Sequence, residues 1–354
     1  MKRAHVRLLA LAMTVAMSLT LFTGCGQKEQ APAPAPDTNT TQEVPEAPAP
    51  AETDRSNWPK YLGLAAGGAS SQTGIVGAVL APALTEYLDI SVSSETSAGM
   101  TANLLMVNDG TCDLGFTGTD FAYEAWNGTA TWTDQVCQNF GCVMPLFPFI
   151  QQHYTYASSG INSIEDMEGR TVNFSTAVSS TDTWMRRVID ILGVNCTISN
   201  LSPSDGNQQM SDKLVDCAVV NGLAPHSAVQ EFAATNDTVL FGITDEQYEK
   251  IVAEYPYASR YTIPAGTFEW QTEDVDTIST RCMLIASNDL DEGLVYEMTK
   301  AIFEHLSELC DQHAAFTYVA EELVTECTTP LHPGAARYYE EIGIELPDSI
   351  KPVA

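Results

Sequence analysis

From Trp58 onward the chain repeats one pattern: a short apolar run, a turn of small residues, then a longer stretch of helical period. This alternation constrains the fold more than any other feature. Strand–helix–strand order sets strands side by side in a parallel sheet and lays helices over its faces. A first unit reads as strands at 61–64, 90–96, 113–117 and 142–147, with helices up to 87, at 99–108 and at 119–126. A second unit begins with a strand at 154–157. Ser163-Ile164-Glu165-Asp166 then opens a short helix, which Gly169 stops. Strands at 171–174, 216–220 and 239–242 follow, among helices at 181–192, 205–215, 227–235 and 245–255. A strand-like run at 277–286 and helices at 291–310 and 333–342 close the chain. Two such units predict an α/β clamshell of two lobes joined by a hinge, one lobe from 58–152 plus 283–354 and the other from 153–282.

The segment before Trp58 is of a different kind. Lys2, Arg3 and Arg7 precede a short apolar run, 8–22, that ends at Leu21-Phe22-Thr23-Gly24-Cys25. A basic start and an apolar stretch too short for a membrane span are the marks of an export signal. Small residues just before a cysteine resemble a bacterial lipobox. Residues 1–24 are therefore expected to be a lipoprotein signal peptide and Cys25 the lipidated mature N-terminus. Residues 25–57 are rich in Ala-Pro pairs and poor in apolar bulk, the composition of an extended tether. The expected location is outside the cytoplasm, anchored to the cell membrane through Cys25.

Charge excludes one class of partner. The net charge is -30, and three of the 16 basic residues lie in the first ten positions. Such a surface repels nucleic acid phosphates, which need clustered Lys and Arg. Eight cysteines follow Cys25 with no C-x-x-C pair, so the usual zinc spacing is missing. Mostly buried free thiols, with one or two bridges among them, are expected. No metal and no cofactor are implied.

In open α/β sheets ligands bind beyond the carboxyl ends of strands, where loops enter helices. Four such loops are rich in small hydroxyl residues. The first runs from Gly67 to Thr73 and contains Ser70, Ser71 and Gln72. The second, 96–101, contains Ser97. The third, 117–120, contains Thr119 and Asp120, and the fourth, 175–182, contains Ser179, Ser180 and Thr181. Free N–H groups and the positive end of the helix dipole favour an anion at such places. The third and fourth loops also fit S/T-x-x-D capping boxes, which need no ligand. Arg260, beside Tyr257 and Tyr261 near the return crossing, is a further candidate contact, whereas Arg186 and Arg187 read as solvated mid-helix residues.

An enzyme is not expected. No G-x-S-x-G elbow and no phosphate-binding loop occur, and His305 and His313 lack zinc-helix spacing.

Several segments resemble one family, the TAXI solute-binding proteins that serve TRAP transporters. These are Leu62-Gly63 with the Gly67-Gly68 turn, Asp113-Leu114-Gly115-Phe116 with Asp120 and Ala125-Trp126-Asn127-Gly128, and Gly160-Ile161-Asn162-Ser163-Ile164 through Gly169-Arg170. Ile263-Pro264-Ala265-Gly266-Thr267-Phe268 with Glu273-Asp274-Val275, and Leu331-His332-Pro333-Gly334-Ala335 through Tyr338-Tyr339, are the more specific. The resemblance implies a type II periplasmic-binding-protein fold with two parallel or mixed sheets. It also implies a small organic anion as ligand and a TRAP-type membrane permease as partner. The chain departs from the family at Gln72, where an aromatic is usual, and at Gly118, where an amide is usual. A receptor for an ABC importer and a ligand-presenting sensor lipoprotein are the alternative readings.

Overall fold

The computed structural model describes residues 54–69, 71–177 and 179–353. The expected signal peptide 1–24, Cys25, the tether up to residue 53 and Ser70 lie outside the described residues.

The first half runs β1 (Tyr61–Ala65), α1 (Gln72–Leu88), β2 (Ser91–Glu95), α2 (Met100–Asn108), β3 (Leu114–Gly118) and α3 (Thr119–Asn127). A long strand, β4 (Phe140–Tyr156), leads into β5 (Thr171–Asn173), α4 (Ser180–Leu192), β6 (Thr197–Ser199), α5 (Pro203–Ser211), β7 (Cys217–Gly222) and α6 (Ser227–Ala233). Then come β8 (Thr238–Phe241), α7 (Asp245–Glu254), β9 (Ser259–Ile263) and a second long strand, β10 (Val275–Ser287). Helices α8 (Glu292–Glu304), α9 (Leu306–Gln312) and α10 (Pro333–Glu341) complete the order.

The strands form one hydrogen-bonded path, β2-β1-β3-β10-β4-β7-β5-β6, with β8 on β4 and β9 on β10. β1 pairs in parallel with β2 and β3, and β5 with β6 and β7. The expected parallel units are therefore present as two trios at the ends of the path. Between them β4 and β10 run antiparallel to each other and to their other neighbours.

β4 corrects the sequence reading, which split it into strands at 142–147 and 154–157. Pro145 and Pro148 lack the donor a ladder needs, so each reads as a strand end. In the structure a register shift in β10 between Arg281 and Met283 lies opposite these prolines, and the strand continues. The next residues, Gln151, Gln152 and His153, are polar yet buried, which hides the strand from an apolar pattern. The expected single helix over 291–310 is likewise two, broken at His305, whose ring stacks on Tyr87 with centroids 4.2 Å apart. The short strands β6 and β9 had no sequence signal strong enough to be expected.

The buried apolar side chains fall into three clusters. One joins residues from 62–147 with residues from 282–350. The others, built from 150–278, lie around Phe174, Trp184 and Phe241, and around Tyr154 and Phe232. Burying a side chain of this size stabilises by about 1.5–3 kcal/mol.

His332 caps α10: its Nδ1 accepts the Gly334 N–H at 3.2 Å, and Pro333 takes the first helical position, as the sequence predicts. Burial lowers the imidazole pKa to about 4. A folded pKa below the unfolded value means stability is present above pH 6.5 and is lost as pH falls towards 4. We expect His332→Asn, which keeps a capping acceptor, to lose about 2 kcal/mol less than the wild type between pH 7 and 5. Urea unfolding at the two pH values checks this; equal losses would exclude His332 as the acid-labile group.

Candidate functional site

The hydroxyl-rich loops lie at the carboxyl ends of the two parallel trios, three in the first half and one in the second. Gly67 shows why the first loop has its composition. Its φ of +106° is left-handed, and a Cβ there would stand 3.1 Å from Thr73 Oγ1, 3.2 Å from Ser71 Oγ and 4.0 Å from Ser97 Oγ. Glycine alone suits this left-handed backbone with the Thr73 and Ser71 hydroxyls so close against it. Ser71 is the N-cap of α1: its Oγ accepts the Gly74 N–H at 3.0 Å and donates to the Gly68 carbonyl at 2.7 Å. Thr73 is buried, while Gln72 leaves a buried Nε2 without a hydrogen-bond partner among the described residues.

Asn103, which no sequence motif marked, ties the second loop to β3. Its Oδ1 accepts the Ser97 hydroxyl, and its Nδ2 donates to the Phe116 carbonyl at 2.8 Å. The expected capping box at 117–120 is absent. Gly118 is the N-cap of α3, with no side-chain cap, and Thr117 Oγ1 is buried and without a partner among the described residues. α2 likewise starts at Gly99 without a side-chain cap. The first-turn N–H groups of α2 are thus left to other acceptors, whereas in α3 the Asp120 carboxyl takes the Phe121 N–H. Thr119 is committed to the fold: its hydroxyl accepts the Arg281 N–H at 3.1 Å, and its carbonyl accepts the Thr328 hydroxyl at 2.7 Å.

Asp120, the second residue of α3, keeps only partial exposure. Burial pushes its carboxyl up to about 6, and the Glu124 carboxylate adds to the shift. The Phe121 N–H and the Arg187 guanidinium pull in the opposite direction.

The second half has a parallel arrangement. Ser179 is the N-cap of α4, its Oγ accepting the Asp182 N–H at 3.2 Å. Ser180 is exposed and Thr181 buried. Asp182, however, reaches sideways: its Oδ1 accepts from Asn200 Nδ2 and from Arg186 Nε, each at 2.8 Å. Asn200 also donates to the Ser175 carbonyl at 3.1 Å, so it joins the loops after β5 and β6, much as Asn103 joins the loop after β2 to β3. Deeper in this half, Gln151 of β4 stands opposite Asn221 of β7. Both amide atoms of Gln151 and the Oδ1 of Asn221 are buried without partners among the described residues.

An ion pair links α3 to α4. Arg187 Nη1 stands 2.6 Å from Glu124 Oε1, and their side chains are 18% and 5% exposed. The Tyr257 hydroxyl donates to the same carboxylate at 2.7 Å and accepts from Arg187 at 2.8 Å. Burial, then this bond to Glu124, pushes the Tyr257 phenol far up. Tyr257 also packs against Tyr123 and Trp184. Arg187 is therefore not the solvated residue expected from its mid-helix position.

Arg260 is in none of these loops. It pairs with Asp245 and, at 3.4 Å, with Asp276, and lies over the Tyr248 ring. Among the described residues no group of three or more His, Cys, Asp or Glu side chains could hold a metal ion.

A sheet with two parallel trios linked by two long antiparallel strands, flanked by helices, is the fold of the type II periplasmic-binding-protein class. The structure is similar to a TctC solute-binding protein from Polaromonas, at 14% identity and a TM-score of 0.53, covering 80% of this chain and 99% of that one. It is also similar to MatC from Rhodopseudomonas palustris with bound malate (12%, 0.48, 80% and 97%). A third similar structure is the periplasmic aliphatic sulphonate binding protein SsuA of Escherichia coli (14%, 0.42, 80% and 83%). The chain belongs to the NMT1-like family, whose profile matches residues 64–343.

Proposed function

We propose that this chain is an extracytoplasmic solute receptor of the TAXI type, which captures a small organic anion and delivers it to a TRAP-type secondary transporter. The lobes are 58–152 plus 283–354 and 153–282, and the anion is an acidic amino acid, a dicarboxylate or a keto acid. Cys25 carries the lipid, and 25–57 holds the receptor off the membrane. The observation that supports this reading is the set of hydroxyl-rich loops at strand ends, with buried polar groups that have no partner among the described residues. The N-terminus of α2 lacks a side-chain cap, and Gln72 Nε2 and Thr117 Oγ1 are buried without partners among the described residues. Buried polar groups cost free energy until something pairs with them, and a ligand carboxylate satisfies such donors. Closure of the lobes around the ligand follows if the closed form binds it better.

Thermal-shift screening of the protein against acidic amino acids, dicarboxylates and keto acids tests the ligand class. A ligand raises the melting temperature by linkage. Stabilisation by neutral or cationic solutes alone would defeat the anion assignment. The double substitution Ser180→Ala and Thr181→Ala is expected to weaken binding by about 10–100-fold, the worth of one or two hydrogen bonds to a charged group. Unchanged affinity in a titration would remove the start of α4 from the site.

A further inference from the structure

The eight cysteines from Cys112 to Cys327 are thiols in this structure, and two of them are out of place as thiols. The Sγ atoms of Cys142 and Cys327 stand 2.7 Å apart, both buried. That is well inside the contact distance of two unbonded sulfurs, and approaches the covalent separation of about 2.05 Å. The backbone on both sides is held for the contact. The Cys142 N–H donates to the Pro330 carbonyl and the His332 N–H to the Cys142 carbonyl, each at 2.9 Å. Cys142 and Leu331 form a parallel bridge. On the other side Glu326, next to Cys327, pairs with Arg281 of β10 at 2.7 Å.

We infer that Cys142 and Cys327 form a disulfide in the mature protein, tying the returning C-terminal segment to β4. This rests on the export proposed above, because an oxidising compartment is where such bonds persist. The two thiols give up two protons and two electrons to the disulfide of a thiol–disulfide oxidoreductase. One cysteine thiolate attacks that disulfide and forms a mixed disulfide, releasing one thiolate. The other cysteine then attacks the mixed disulfide, forming the Cys142–Cys327 bond and releasing the second thiolate, so the oxidant leaves as a dithiol. The bond closes a ring that contains the whole of β5 to β9. It also steadies the segment whose Thr328 hydroxyl donates to the Thr119 carbonyl at the start of α3. The redox state therefore bears on the placement of the site as well as on stability.

The test uses the full chain produced with its own leader and isolated without reductant under denaturing, thiol-blocking conditions. Chymotryptic cleavage after Phe140 and Tyr318 separates Cys142 from Cys137 and Cys327 from Cys310. Mass spectrometry should find the Cys142 and Cys327 peptides joined, and dithiothreitol should separate them. The reductant should also lower the melting temperature by about 5–10 °C, and should not lower that of a Cys142→Ala, Cys327→Ala variant. Blocked thiols at both positions, or a bond from Cys142 to neighbouring Cys282, would overturn the inference. Treating the reduced, purified protein with oxidised glutathione separates the two ways of failing. No bond there refutes the pairing itself. A bond there, with free thiols in the isolated chain, refutes the oxidising location and with it the native disulfide.

Discussion

Arg187→Met is expected to destabilise the protein by about 3–5 kcal/mol, because it leaves the Glu124 carboxylate buried with no countercharge. Glu124 is 4% exposed, and its partners are the Arg187 guanidinium at 2.6 Å and the Tyr257 hydroxyl at 2.7 Å. Water cannot replace the guanidinium at such a depth. The cost is a desolvated charge left unpaired, more than the lost attraction. Removing both charges should therefore be milder than removing one. The double variant Glu124→Gln, Arg187→Met is expected to recover most of the loss, and a double-mutant cycle should give a coupling of at least about 1 kcal/mol. Urea denaturation measures all four proteins. If the single Arg187 substitution lies within 1 kcal/mol of wild type, the pair does not hold α3 against α4. Because the pair joins the proposed lobes, the single variant should also bind ligand more weakly, since it loosens the closed arrangement.

A second large effect is expected at Asp120. Its carboxyl has a folded pKa of about 6 against an ordinary value of 3.8. The raised value means that the folded state disfavours the ionised form. The associated stability is present below pH 3.8 and is lost as pH rises through 6, amounting to about 3 kcal/mol at pH 8. Asp120→Asn should keep that stability at pH 8. The same group predicts how binding responds to pH. A protonated Asp120 donates a hydrogen bond to a ligand carboxylate, whereas an ionised one repels it. Affinity for an organic anion is thus expected to fall by up to about 50-fold from pH 6 to pH 8, and Asp120→Asn should flatten that profile. Calorimetric titration across the range decides it. A wild-type affinity that does not change between pH 6 and 8 would mean that Asp120 does not face the bound anion.

Much of the fold was legible because strand and helix periods are local properties. The positions of β1, α1, β2, α2, β3 and α3 all follow from apolar spacing and turn residues within a few positions. Where the reading failed, a distant partner had overridden a local signal. Pro148 marks a strand end on its own, yet β4 continues past it, paired with β10 more than a hundred residues away. The capping box at Thr117 has the right letters, but Gly118 takes the capping position instead. The site divides in the same way. The loops and their hydroxyls could be picked out, since small residues before a helix start are a sequence pattern. Asn103, Asn200, Glu124 and Arg187 could not, because a single Asn or a charged residue in a helix has no distinguishing neighbour until the chain is folded.

The alternation of strand and helix that opens the chain's folded part thus determined, unaided, an α/β sheet with hydroxyl-rich loops at its strand ends. The tertiary structure alone decided how the two parallel trios join and which polar groups lose their water. It joins them through β4 and β10, whose pairing depends on registers no local pattern encodes. It takes Glu124 and most of Arg187 out of water by joining α3 to α4, and it brings Cys142 to Cys327 across 185 residues of chain. Burial and proximity at that range are properties of the packed molecule, because each depends on what the rest of the chain places around a residue.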